Sequence, residues 1–220
     1  MFEASKIIHQ NNDWITLVFI FIFMVLTILK VVYKKRLFHG LTFFLSKKYL
    51  SIYYYKEKNK FLNLFQSLFF IIQLLVISLL FYLVNTYFQF QPKLVTFNGY
   101  ILLFFAVGFY FSLRYLIGLL LAYLFDFKNE FRKIVYDKTN YFNNLILWFL
   151  PFLVMSIYIQ EQKKIFLEIT LLMFVLLLIL RYSLLLINNK NLIYNNLFYF
   201  ILYLCALEIA PLIIVLKLTI

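Results

Sequence analysis

Apolar residues occur along the chain in six long runs, which are separated by polar or basic segments. A helix of about 20 residues is needed to cross the hydrocarbon core of a bilayer, and most of these runs reach that length. The pattern therefore predicts an all-α polytopic transmembrane bundle of about six spans, forming a single integral membrane domain over residues 1–220. The predicted spans are 14–33, 61–84, 98–121, 145–160, 165–187 and 198–217.

The composition requires a membrane environment. Hydrophobic residues make up 65% of the 220 residues and charged residues only 14%, against roughly half and a quarter in soluble domains. So much apolar surface cannot be buried inside one water-soluble globule of this size. The lead before the first span has no strongly basic region or small-residue cleavage site, so we expect a retained helix rather than a signal peptide.

The basic residues predict the orientation. The segments 34–60, 126–144 and 188–196 hold 8, 4 and 1 Lys or Arg, whereas the segments on the opposite side hold four in all. The positive-inside rule places the more basic segments in the cytoplasm and both termini outside it. Within the first segment, residues 41–57 alternate apolar clusters with lysines, as in a helix lying in the interface beside anionic headgroups. A plain cytoplasmic loop is the alternative, and residues 126–144 are interpreted as a solvated loop or a short surface helix.

Polar residues inside two spans indicate which faces point into the bundle. Asn63, Gln66 and Gln73 fall within an arc of roughly 80° on the second span, and such stripes usually face other helices. Arg114, Gly118 and Ala122 share one face of the third span, where the two small residues permit close helix packing. For the stripe on the second span, interhelical packing is the simpler interpretation and a polar pathway is the functional one. The face on the third span is expected to lie in the interior, where Arg114 needs a partner or a snorkelling route to an interface.

The last span carries the strongest site candidate. Glu208 lies at its middle, and Pro211 follows three residues later, where it removes a backbone donor and can kink the helix. A carboxyl at that depth is costly unless it is protonated or paired, and Arg114 or Arg181 could serve as its partner. Pro151 is a second predicted kink, in the short fourth span.

Several classes of function lack their usual residues. His9 and His39 both lie outside the spans, so paired axial histidines for a membrane haem are not available. Cys205 is the only cysteine, and no catalytic, phosphate-binding or zinc motif is present. The net charge of +12 does not indicate nucleic-acid binding, because most basic residues flank the spans, where the positive-inside rule explains them. No nucleic-acid motif is present either. We therefore expect no cofactor, metal or nucleic-acid partner.

The closing segment carries a family resemblance. It resembles the pattern Y-L-C-x-L-E-x-x-P, which is matched by Tyr203, Leu204, Cys205, Leu207, Glu208 and Pro211. The sequence Asn12-Asp13-Trp14 before the first span also looks similar. The chain thereby resembles a family of uncharacterised polytopic membrane proteins, found mainly in the Bacteroidota and known only as a domain of unknown function. The resemblance implies a bacterial inner membrane and no particular activity.

Three functions remain open. The first is a non-enzymatic subunit or assembly factor of an envelope complex, which would contact membrane lipids, anionic headgroups at its basic loops, and another membrane protein. The second is a small proton- or ion-coupled transporter centred on Glu208, although no second acid lies at that depth to continue a proton relay. The third is an enzyme acting on a lipid or lipid-linked substrate, for which Asp13, Glu168 and the acids of 126–138 are the main material.

Overall fold

The computed structural model describes residues 13–41, 64–89, 91, 94–124, 126, 128–159 and 162–188, without the side chains of residues 35 and 39–41. Within these ranges the chain forms six α-helices and no strand. Five of them are long and apolar enough to cross a membrane, so the predicted all-α membrane fold is confirmed. The helices are α1 (Asp13–Val32), α2 (Lys34–Leu41), α3 (Leu64–Phe88), α4 (Phe97–Leu124), α5 (Lys128–Tyr158) and α6 (Lys163–Asn188).

The first two helices are separated by a bend at Tyr33. One face of α1 is buried along its length, through Ile15, Phe19, Ile22, Val25 and Leu29. These residues recur every three or four positions, which is the spacing that brings side chains to one face of a helix. The short helix α2 then packs against α1 and α5. The interfacial helix predicted within 41–57 lies outside the described residues, apart from the backbone of Leu41.

The central helix of the bundle is α3. It packs against α1, α4 and α5, and more than half of its residues are buried. A helix surrounded by other helices needs apolar residues on most of its circumference, which explains why most residues of α3 are apolar and why polar ones such as Gln66 and Gln73 are few.

A tight connection joins α3 to α4. Gln89 adopts the left-handed conformation with φ of 51°. The Asn85 side chain then holds the turn from both sides, since its Nδ2 donates to the carbonyl oxygen of Gln91 and its Oδ1 accepts from the backbone N–H of Gln91, each at 3.0 Å. The Tyr82 hydroxyl donates to the carbonyl oxygen of Val95 at 3.0 Å.

The interpretation of residues 126–144 as a solvated loop or short surface helix is wrong. A single helix, α5, extends over Lys128–Tyr158 and contains Pro151 in its interior. The polar residues of 128–144 recur at helical spacing, so one face of this part is buried while basic side chains such as Arg132 and Lys133 stay exposed. The hydropathy of the span predicted at 145–160 therefore marks only the second half of the helix.

Successive long helices run in opposite directions and give the bundle two distinct ends. At one end the ring of Trp14 lies 5.0 Å from the rings of both Tyr82 and Tyr100. At the other, the ring of Tyr33 lies 5.5 Å from that of Phe65. The second end is called the basic end below, because its exposed side chains include Lys30, Lys34, Lys128, Arg132 and Lys133. The first is called the aromatic end.

Candidate functional site

Buried polar side chains concentrate on the first half of α5. Asp137, Asn140, Asn143 and Asn144 are each no more than 7% exposed. Asp137, Asn140 and Asn144 lie at i, i+3 and i+7, within an arc of about 60° of the helix. Together with Tyr141, Gln73 of α3, and Arg181 and Asn188 of α6, these residues are called the polar cluster.

Gln73 links α3 to the polar cluster. Its side chain is 3% exposed, and its Nε2 donates a hydrogen bond to Oδ1 of Asn143 on α5. Gln73 belongs to the predicted polar stripe and lies in the interior of the bundle. Gln66, two turns earlier, is half-buried, and its Nε2 has no hydrogen-bond partner among the described residues. Asn63 lies outside the described residues.

Arg181 joins α6 to α5. Its side chain is 6% exposed, and Nη2 donates to the carbonyl oxygen of Lys138 at 3.2 Å. The guanidinium carbon also lies 4.3 Å from the ring centroid of Phe142. Stacking on an aromatic face suits a planar, weakly hydrated cation in an apolar setting. The structure therefore holds this candidate charge against α5 rather than letting it extend to an interface.

The end of α6 is attached to the same helix. Nδ2 of Asn188, the last residue of α6, donates to the hydroxyl of Tyr141. Tyr141 is 1% exposed. The hydrogen bond therefore joins the last residue of α6 to the polar cluster.

Asn144 differs from its neighbours. It is 1% exposed, and neither Nδ2 nor Oδ1 has a hydrogen-bond partner among the described residues. By contrast, Asn140 donates to the carbonyl oxygen of Tyr136 at 2.9 Å. Leaving a buried amide without partners costs about 1–3 kcal/mol. Asn144 is therefore the point of the polar cluster at which a further group would be most strongly stabilised.

A second buried arginine lies nearer the basic end. Arg36 of α2 is 5% exposed, and its guanidinium carbon lies 3.9 Å from the ring centroid of Phe65. It packs on α3 in the same manner as Arg181 packs on α5. The sequence did not single out Arg36, because it stands in a run of basic residues that reads as a cytoplasmic segment.

The remaining candidates are distributed as follows. Arg114 on α4 is half-buried, and Gly118 and Ala122 of the same face are buried. Glu208 and Pro211 lie outside the described residues. The structure thus holds Gln73 and Arg181 each against α5, whereas Arg114 lies on α4.

Sequence reasoning missed most of the polar cluster. Asp137, Asn140, Asn143 and Asn144 fall in the segment interpreted as a loop, where polar residues are expected and attract no notice. The available signal was the spacing of Asp137, Asn140 and Asn144, which puts them on one face of a helix.

Among the described residues, no group of three or more His, Cys, Asp or Glu side chains is arranged to hold a metal ion.

One family model matches the chain. It is described as a domain of unknown function (DUF4271), and it matches residues 15–219. No curated protein and no solved structure matches the chain.

Proposed function

We propose that this chain, which belongs to the DUF4271 family, is a non-enzymatic subunit or assembly factor of a membrane complex in the bacterial envelope. One observation carries the proposal: polar side chains of the described part join one helix to another. Gln73 bonds to Asn143, Arg181 to the carbonyl of Lys138, and Asn188 to Tyr141.

Such contacts suit a scaffold. Hydrogen bonds between membrane helices contribute about 0.6 kcal/mol each on average, and they fix which faces meet. At the aromatic end the same principle holds, where the Tyr158 hydroxyl donates to Oγ1 of Thr16 at 2.9 Å. A bundle cross-linked in this way presents a defined outer surface to a partner.

The surface best suited to a membrane partner lies on α4. This helix buries only a narrow face, and its exposed side includes Ser112, one turn after the half-buried Gly108. The Ser112 hydroxyl donates to the carbonyl oxygen of Gly108 at 2.9 Å, so it needs no other partner. Two small residues four apart permit the backbone of another helix to approach closely, which large lipid-facing side chains prevent.

A cross-linking experiment tests this role. A photoreactive amino acid is placed at Leu119, which is 40% exposed and lies two turns from Ser112 on the same side of α4. The matched control carries it at Ile179 of α6, which is 61% exposed. We expect a discrete adduct from Leu119 alone, formed with a protein that also co-purifies stoichiometrically in mild detergent. A lone protein with no discrete adduct at Leu119 contradicts the proposal.

The proposal includes a location and an orientation. The bacterial inner membrane is supported by the resemblance of the closing segment, and cytoplasmic placement of the basic end by the positive-inside rule. Both termini then lie in the periplasm. The exposed lysines and arginines of the basic end would contact anionic lipid headgroups, each contributing about 1 kcal/mol near the surface.

A proton- or ion-coupled transporter is the second candidate, and one observation favours it. Asp137 and Arg181 are 4% and 6% exposed, inside two helices long enough to cross a membrane. An ionisable residue buried inside an apolar span, such as Arg181 in α6, is expensive and commonly marks a transport pathway. Glu208→Gln should abolish ion-coupled flux in proteoliposomes while leaving protein abundance unchanged, and normal flux in that variant would exclude proton coupling through Glu208.

A lipid-active enzyme receives no such support. Asp13 and Glu168 belong to the aromatic end, since Asp13 precedes Trp14 and Glu168 lies near the start of α6. Asp126 and Glu130 lie at the opposite, basic end. The acids considered for that chemistry therefore do not meet at one interface.

A further inference from the structure

We propose that Lys34 of α2 and the adjacent Arg132 and Lys133 of α5 form one binding site for the phosphate of an anionic glycerophospholipid, with Phe38 of α2 contacting its acyl chains. The inference deepens the headgroup contact of the proposed function, on which it rests, because it replaces a general attraction at the basic end by a fixed site. It requires neither a protein partner nor transport.

The short helix α2 buries one side and exposes the other. Arg36 is buried and stacks on Phe65 of α3, with its guanidinium carbon 3.9 Å from the ring centroid. Lys34 and Phe38 are four residues apart and share the largely opposite, exposed side, where Phe38 is 65% exposed. A cation beside a large apolar ring on the open side of a helix is typical of a helix that lies in the membrane interface.

The length of α1 gives the depth of Lys34. This helix has 20 residues, and the second of them is Trp14, a residue type that prefers the interface. By helix rise α1 is about 30 Å long, which equals the thickness of a typical hydrocarbon core. Lys34 follows directly after the bend at Tyr33. It therefore lies where the phosphates of the leaflet at the basic end begin.

The contacts of α3 place two cations of α5 at the same level. Phe65 is eight residues before Gln73, which donates a hydrogen bond to Asn143 of α5. Because α3 and α5 run in the same direction, Phe65 lies level with the point eight residues before Asn143 on α5. Arg132 and Lys133 come within three residues of that point, which is less than one turn. Since α2 is stacked on Phe65, it lies beside this turn of α5.

The helices α2 and α5 are also direct neighbours in the bundle. They pack against each other, and helices in contact have axes about 8–10 Å apart. Lys34, Arg132 and Lys133 are all exposed, and their long flexible stems allow the charged ends to meet at one phosphate group. The guanidinium of Arg132 suits two phosphate oxygens at once, while the two lysines supply further positive charge.

The charge at this end favours an anionic headgroup. In the described ranges its exposed cations also include Lys30 and Lys128. The described acids of this end are Asp126, Glu130 and Asp137, of which Asp137 is buried and Glu130 half-buried. The surface is therefore positive, and a phosphodiester without a cation of its own is attracted to it. A zwitterionic headgroup gains less, because its cationic group is repelled.

Native mass spectrometry of the full chain in detergent tests the site. Phosphatidylglycerol and phosphatidylcholine with the same acyl chains are titrated, and the lipid molecules that stay bound are counted. We expect the wild-type chain to bind phosphatidylglycerol more tightly. Lys34→Gln combined with Arg132→Gln should lower that affinity about 30-fold, or roughly fivefold for each cation near an anionic surface, and should leave phosphatidylcholine binding unchanged.

The matched control removes two exposed cations at the aromatic end, by Lys163→Gln with Lys164→Gln, and changes the net charge equally. It should keep the wild-type preference. Equal losses in the two double variants would overturn the site, because net charge alone would then explain the binding. A wild-type chain without preference for phosphatidylglycerol would overturn it as well, whereas a missing adduct at Leu119 would contradict the subunit role and leave this site standing.

Two further variants separate lipid binding from folding. Lys34→Arg with Arg132→Lys keeps both charges and should retain the preference for phosphatidylglycerol, and a loss as large as that of the glutamine variant would overturn the site. Phe38→Ser should weaken phosphatidylglycerol binding without changing the charge, because it removes apolar contact with the acyl chains. Unchanged affinity in that variant would overturn the acyl-chain contact.

Excess inorganic phosphate distinguishes a lipid from a soluble anion. It should not displace bound phosphatidylglycerol, since it offers no acyl chain to the exposed ring of Phe38. Displacement by inorganic phosphate would assign the three cations to a soluble phosphate compound and would overturn the lipid site.

Discussion

Alanine substitution at two glycines of α4 should lower stability at Gly99 but not at Gly108, because their surroundings differ. A Cβ placed on Gly99 would lie 2.5 Å from Cα and 2.6 Å from the carbonyl carbon and oxygen of Leu94. These are backbone atoms of the connection held by Asn85 and Tyr82, so they cannot move aside cheaply. A Cβ on Gly108 would meet only Cδ1 of Leu74, at 3.8 Å, which is an ordinary van der Waals contact.

The magnitudes follow from these distances. Overpacking costs about 1–3 kcal/mol, while replacing a helical glycine by alanine gains about 0.5–1 kcal/mol. Gly99→Ala should therefore lose roughly 1–2 kcal/mol overall. Gly108→Ala should be neutral or gain up to about 1 kcal/mol. For a chain of this size, each kcal/mol shifts the melting temperature by about 2–4 °C.

The assay is thermal unfolding of the detergent-purified protein, followed by fluorescence-detected size-exclusion chromatography. Gly108→Ala is the matched control, since it makes the same chemical change in the same helix. If Gly99→Ala melts at or above the temperature of Gly108→Ala, the described approach of Leu94 to α4 is incorrect.

Three further predictions concern other contacts. Thr96→Ala removes the hydroxyl oxygen that accepts a hydrogen bond from the backbone N–H of Gly99 at 3.3 Å and caps the start of α4. It should lower the free energy of unfolding by about 1 kcal/mol in the same melting assay. An unchanged melting temperature would show that this cap does not stabilise the helix. Gln73→Leu leaves Asn143 of α5 buried with no described hydrogen bond, and it should lower the free energy of unfolding by about 1–3 kcal/mol. Leucine at both positions should recover much of that loss, whereas purely additive losses would show that the two amides do not interact. Labelling with a membrane-impermeant maleimide tests the orientation in a chain whose only cysteine is replaced by serine. Lys128→Cys should react only after the cytoplasmic side is exposed, whereas Lys163→Cys should react in intact spheroplasts. The reverse pattern would contradict the proposed orientation.

Part of the candidate site was predictable from the sequence. Gln73 and Arg181 stand out as polar residues inside long apolar runs, and burying them costs free energy wherever their helices pack. Both lie in the interior of the bundle. Asp137 and the three asparagines of α5 did not stand out, since polar residues outside an apolar run cost nothing until a tertiary contact covers them.

The sequence by itself determined that the chain forms apolar helices, because a 65% hydrophobic chain must satisfy its backbone hydrogen bonds internally once it is removed from water. It also determined the inward face of α1, since that face follows from helical spacing alone. Only the tertiary structure decided that residues 128–144 continue α5 with one buried face, and that α3 is the central helix. Burial of a polar face depends on which helices pack against it, and average hydropathy along the chain carries no information about neighbours that are distant in sequence.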